Sequence, residues 1–144
     1  MMSQQELNGP TREIERIYTE WDKALRTNDL DAALALYASD ATIESPLIPH
    51  LLDVERGICR GHDELRRFIQ IVFQRKPKAR KHYRTGYLTD GTRLMWEYPR
   101  ATPDGYQMDF VEVMEVRDGL IQHHRVYWGW FGFEILKNGQ YQHS

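Results

Sequence analysis

The chain has 144 residues, 41% of them apolar and 28% charged, with a formal net charge of −2. That is one domain's length with enough apolar material for a core, and the near-neutral balance gives no electrostatic case for nucleic acid or an anionic membrane surface. Cys59 is the single cysteine, which excludes an internal disulfide and a cysteine-based zinc site. No apolar run reads as a signal sequence or a membrane span, so a cytoplasmic location is expected.

Met1 to Pro10 is polar and ends in the breaker cluster Asn8-Gly9-Pro10, so it reads as a leader (1–10) before one domain (11–133) and a C-terminal tail (134–144). From Thr11, an expected N-cap, apolar residues recur at Ile14, Ile17, Tyr18, Trp21, Ala24 and Leu25, the spacing of a helix with one buried face. Asn28 or Asp29 caps a second, short helix carrying Leu30, Ala33, Leu34 and Tyr37. Ala41 to Ser45 alternates as a short strand until Pro46 ends it. Leu47 to Gly61 reads as a long mixed loop. A third helix is expected from about His62 to Phe73, with Leu65, Phe68, Ile69 and Val72 inward.

After Pro77 the pattern changes to strands at Lys81–Leu88, Arg93–Arg100, Tyr106–Val116 and Leu120–Phe131. They are separated by Asp90-Gly91, Asp104-Gly105 and Asp118-Gly119, all good hairpin turns. Helices followed by a meander is the α+β pattern. The expected architecture is a cone-shaped, curved antiparallel sheet packed on three helices from the N-terminal half and enclosing a cavity.

The segments "WDKALRTNDLDAALALYASDATIESP", "RGHDELRRF" and "MDFVEVMEVRDGLIQHHRVYW" resemble the nuclear-transport-factor-2-like superfamily, and within it the SnoaL-like and ketosteroid-isomerase-like branch. The resemblance spans roughly Glu13 to Phe131. It implies the cone fold, and a site that must be argued separately, because this fold carries isomerases, dehydratases, cyclases, epoxide hydrolases and binding modules. Ketosteroid isomerases use a carboxylate base, a tyrosine and a protonated acid. The resemblance aligns those roles with Ser45, Trp21 and Glu112. A serine cannot abstract a carbon-bound proton unaided and an indole is only a donor, so steroid isomerisation by that route is not expected.

Glu112 and the pair His123-His124 stand among residues patterned for burial, where an ionisable group is costly unless paired. A two-residue Asp118-Gly119 loop pairs Arg117 with Leu120 and sets Glu112 opposite Arg125. A three-residue loop pairs Val116 with Leu120 and sets Glu112 opposite His124. A slip of one residue exchanges the faces. The resemblance favours the second arrangement, in which Met108, Phe110, Glu112, Met114, His124, Val126 and Trp128 face the cavity while His123, Arg125 and Tyr127 point outward with Asp109, Val111, Val113 and Glu115.

Glu112 and His124 are therefore the expected catalytic pair, an imidazole beside a carboxylate being a common acid–base unit near neutral pH. A satisfied structural pair is the alternative. Trp21, Ser45, Met108, Phe110, Val126 and Trp128 are expected to contact substrate, with Tyr18 as a hydroxyl donor from the first helix. Met95 and Glu97 join them if Leu94, Trp96 and Tyr98 face a dimer interface; otherwise Glu97 lies on the surface.

No metal is expected, since adjacent histidines in a strand point to opposite faces and no chelating spacing occurs. The basic run Arg75 to Arg84 reads as a solvated helix end and edge strand. The expected activity is cofactor-independent proton transfer of isomerase, dehydratase or cyclase type. Its substrate would be a small, apolar ring or polyene-type molecule, handled by a homodimer held through outward Trp96, Tyr98, Tyr127 and the "GWFGF" run. A non-catalytic ligand-binding or dimerisation module is the rival. Epoxide hydrolysis through Asp109 and Arg125 is a third reading, requiring the other register.

Overall fold

The computed structural model describes residues 9–75, 86–101 and 107–137. The basic run from 76, most of the strand expected at Lys81–Leu88, the Asp104-Gly105 turn and most of the leader lie outside them. Helix α1 spans Gly9–Thr27 and α2 spans Leu30–Leu34; β1 follows at Tyr37–Glu44, then α3 (Ile48–Leu52), β2 (Ile58–Arg60) and α4 (Gly61–Arg75). The second half carries β3 (Leu88–Thr89), β4 (Arg93–Ala101), β5 (Gln107–Arg117), β6 (Leu120–Trp128) and α5 (Trp130–Lys137). The fold is α+β, a six-stranded curved sheet in the order β2-β1-β6-β5-β4-β3, not closed into a barrel, with helices packed against it.

The helical stripe of α1 buries Ile14, Ile17, Trp21 and Ala24, as its spacing requires. Its start at Gly9 is two residues earlier than the Thr11 cap expected, Pro10 being well tolerated in a first turn. Asp29 is the cap of α2, its carboxylate accepting from Ala32 N at 3.0 Å. Helix α4 buries Leu65, Phe68, Ile69 and Phe73, and its Asp63 and Glu64 suit the positive end of the helix dipole.

Several expectations are corrected. The sheet is not wholly antiparallel, because β1 and β6 run parallel, with Ile43 beside His124 and Glu44 beside Arg125. Tyr37 belongs to β1 rather than to the second helix, which ends at Leu34. Leu47–Gly61 is not a plain loop: it holds α3 and the edge strand β2, which pairs antiparallel with β1. Beyond Trp128 the chain turns into α5 instead of extending the last strand.

The β5–β6 hairpin turns on Asp118 and Gly119 alone, both left-handed (φ 55° and 74°), so Arg117 pairs with Leu120. That is the two-residue loop, which should have placed Glu112 and His124 on opposite faces. It does not, because β6 carries one extra residue. Val116 pairs with Ile121 but Glu115 pairs with His123, leaving Gln122 as a bulge. Past the bulge Glu112 stands opposite Val126 and Met114 opposite His124. The faces are those expected, reached by a different register.

Candidate functional site

Strand β5 presents Phe110, Glu112 and Met114 in succession on the helix-covered face, all buried. Phe110 belongs to a small apolar cluster with Met108, joined by Leu47, Tyr98, Val126, Trp128 and Phe131. Met114 belongs to the main core with Ile17, Trp21, Leu94 and Ile121. Glu112 sits between these two clusters. Its Oε1 lies 2.6 Å from His124 Nε2, and only 10% and 3% of the two side chains are exposed. The diagonal offset set by the bulge, two residues across the strand pair, is within reach of side chains this long.

Tyr37 completes the arrangement. Its hydroxyl is 2.8 Å from His124 Nδ1 and its residue is 2% exposed. Burial, with the negative charge of Glu112 behind it, holds the phenol's ionisation well above its ordinary range. The imidazole is packed on its remaining sides by rings. Trp21 meets it edge-on at a centroid distance of 5.6 Å, Tyr37 stacks at 6.1 Å and Trp96 lies at 6.3 Å. The chain Tyr37–His124–Glu112 is thus a hydrogen-bonded proton path in an aromatic surround. Sequence reasoning missed Tyr37, because its spacing from Leu30, Ala33 and Leu34 continues a helical stripe. The only contrary signal is the β-propensity of tyrosine.

Among the other expected contacts, Trp21, Met108, Phe110, Val126 and Trp128 all lie on the face of Glu112. Ser45 is buried, and its Oγ accepts from Leu47 N at 3.2 Å, so it stabilises the turn after β1. Ser45 and Val126 also line a groove of about 400 Å³ where β1 ends and β6 continues, with Glu44, Arg125 and Tyr127 at its rim. The Tyr18 hydroxyl donates to the Gly86 carbonyl at 3.3 Å and its ring packs on Tyr87 and Trp96. Met95 and Glu97 are corrected. Leu94 is fully buried and Trp96 packs on the main core, so strand alternation turns Met95 and Glu97 to the opposite, exposed face. The same fact removes Trp96 and Tyr98 from any outward interface.

The opposite face has its own polar groups. His123 Nε2 lies 2.8 Å from Glu44 Oε2, with Thr42 hydrogen-bonded to Nδ1, and Arg125 donates to Glu115 at 3.0 Å. Asp109 is exposed on this face as well, so Asp109 and Arg125 cannot act inside the cone and the epoxide-hydrolase reading loses its residues. Among the described residues no three His, Cys, Asp or Glu side chains converge as a metal site, and no helix is long and apolar enough to cross a membrane.

A curved sheet with its inner face packed by helices is the nuclear-transport-factor-2-like fold. The family model of the SnoaL-like domain matches residues 14–124, and the chain belongs to that family. Among solved structures it is similar to an NTF2-like protein from Anabaena variabilis (17% identity, TM-score 0.66, covering 90% of this chain and 95% of that one). It is likewise similar to a SnoaL-like protein of unknown function from Burkholderia thailandensis (19%, 0.67, 82% and 95%). A de novo designed protein with a curved β-sheet also shares the fold (17%, 0.64, 96% and 97%). No curated protein matches the chain.

Proposed function

We propose that this SnoaL-like chain is a cofactor-independent acid–base enzyme of isomerase, dehydratase or cyclase type. Glu112 is its proton-transferring group, His124 supports it, and the substrate is a small, apolar ring or polyene-type molecule. The observation that carries the reading is the 2.6 Å Glu112–His124 contact between two apolar clusters. A carboxylate so placed can take a proton from a carbon next to a carbonyl, leave the electron pair in the substrate as an enolate, and return the proton at another atom. The apolar rings of the neighbouring cluster, Phe110, Trp128 and Tyr98, are the contacts this reading assigns to a flat apolar ring. The reading includes a homodimer.

The test follows the chemistry directly. The wild-type chain should catalyse deuterium uptake from heavy water at the acidic carbon of an apolar cyclic ketone. Glu112→Gln, which keeps the shape and an acceptor, should slow it by about 10²–10⁴, and His124→Gln should act in the same direction. The near-complete burial of Tyr37 and His124 favours a second reading, a non-catalytic module in which the pair is purely structural. That reading expects the same variants to melt early because a buried pair is broken, while any exchange activity stays at the wild-type level. Such a result for Glu112→Gln would sink the catalytic proposal.

A further inference from the structure

We infer that Tyr37 is a positioning residue: its hydroxyl donates to His124 Nδ1 and locks the imidazole in the tautomer that presents Nε2–H to Glu112, so that Glu112 begins the reaction as a carboxylate base. The inference deepens the proposal above and rests on it for the word base; the tautomer itself does not.

Both ring nitrogens of His124 are occupied, Nδ1 by Tyr37 at 2.8 Å and Nε2 by Glu112 at 2.6 Å. A neutral imidazole has one donor and one acceptor nitrogen, so three arrangements are open. In the first, Tyr37 donates to Nδ1 and Nε2–H donates to ionised Glu112, and every polar hydrogen in the chain has an acceptor. In the second, Glu112 is a neutral acid donating to Nε2, and Nδ1–H must donate to the Tyr37 oxygen. In the third, His124 is an imidazolium and Nδ1–H again takes the Tyr37 oxygen.

The second and third arrangements send the phenol proton elsewhere. Among the described residues the Tyr37 hydroxyl has no second hydrogen-bond partner, and the residue is 2% exposed. An unmet buried O–H costs the full desolvation of that group. Only the first arrangement avoids that cost.

The backbone is built to make this contact. Between Tyr37↔Ile121 and Thr42↔His123, β1 advances five residues while β6 advances two. This irregularity in β1 and the Gln122 bulge in β6 both fall between Tyr37 and His124, and bulges re-aim side chains beside functional sites. The rings of Trp21 and Trp96 then pack against the imidazole. Burial, with the charge of Glu112, holds the Tyr37 phenol in its protonated form at neutral pH.

The experiment is a long-range ¹H–¹⁵N correlation spectrum of the histidine rings in the full chain near neutral pH, with His124 assigned by its loss in His124→Gln. The expected wild-type pattern has the proton on Nε2 and Nδ1 as acceptor. In Tyr37→Phe the preference for the Nε2–H tautomer should fall by about three- to tenfold, the worth of one hydrogen bond, whereas Glu112→Gln, still an acceptor, should retain it. A proton on Nδ1 in the wild-type spectrum overturns the inference, as does a tautomer ratio unchanged in Tyr37→Phe. Should Tyr37→Phe fail to fold, the wild-type spectrum still decides. If the tautomer is as expected while Glu112→Gln exchanges carbon-bound hydrogen at the wild-type rate, the latch stands and the catalytic proposal falls.

Discussion

Among the described tyrosines, Tyr37 and Tyr87 have their ionisation pushed up, and the consequence is measurable in base. Tyr87 is pushed from 10.0 to about 12, by burial first and then by its hydrogen bond to the Glu15 carboxylate and that group's charge. Its neutral form is the one the fold favours, so unfolded chain releases this proton near pH 10 while folded chain keeps it to about 12. The stability contributed by Tyr87 is therefore complete below pH 10 and lost as pH rises through 12. Tyrosinate absorbance in folded protein should show a late step near 12 that disappears in Tyr87→Phe. Tyr37 should ionise well above the ordinary tyrosine range in the folded protein. A Tyr37 that titrates in the ordinary tyrosine range in the folded state would remove the premise that burial holds its proton. At this scale the sequence was informative about Glu112 and His124, because a charged group inside an apolar alternation stands out. It was silent on Tyr37, because a tyrosine there fits a helical stripe as well as a strand.

Secondary-structure elements were legible in proportion to their length. The 19-residue α1 and 15-residue α4 carry several periods of their pattern, whereas the five-residue α3 and three-residue β2 are too short for periodicity and disappeared into an expected loop. The register of β5 on β6 shows a different limit. The two candidate loops are face-exchanging alternatives, yet the structure has a two-residue turn plus a bulge, which restores the parity of the longer loop. A bulge has no dedicated residue type; here the Gln122 amide secures the distortion locally, donating to Arg117 O at 3.0 Å and Leu120 O at 3.3 Å.

The turn itself is demanding. Gly119 has φ 74°, its carbonyl accepts from Arg16 on α1 at 2.6 Å, and a Cβ there would run into the Glu13 carboxylate. Gly119→Ala should cost about 1–2 kcal/mol through its left-handed backbone. The urea midpoint should fall with the slope unchanged; an unmoved midpoint would mean that the turn and its tie to α1 contribute nothing.

At the level of the whole molecule, the order of helices and strands and the family resemblance sufficed for the fold, because a sheet with one apolar face must be closed by the helices that precede it. What they could not supply was which apolar residues remain outside once that closure is made. Trp96 and Tyr98 were expected outside and are inside: Trp96 packs on the main core against Tyr18 of α1, and Tyr98 packs in the smaller cluster with Phe110. Among the described residues, the exposed aromatic surface lies instead at the end of β6 and on α5: Tyr127 is 52% exposed, Trp130 79% and Phe133 68%. Trp130 and Phe133 are three residues apart on one helix and so project from the same side. Rings of this kind are the usual anchors of interfaces, and we propose that the homodimer uses them in place of the inward pair. Light scattering at micromolar concentration should give twice the chain mass. Trp130→Ala with Phe133→Ala should shift the equilibrium toward monomer by at least ~30-fold, on the basis of about 2 kcal/mol for one anchor residue, while far-UV circular dichroism stays that of the folded chain. A wild-type protein that scatters as a monomer would refute the dimer, and a dimer indifferent to both substitutions would move the interface away from α5.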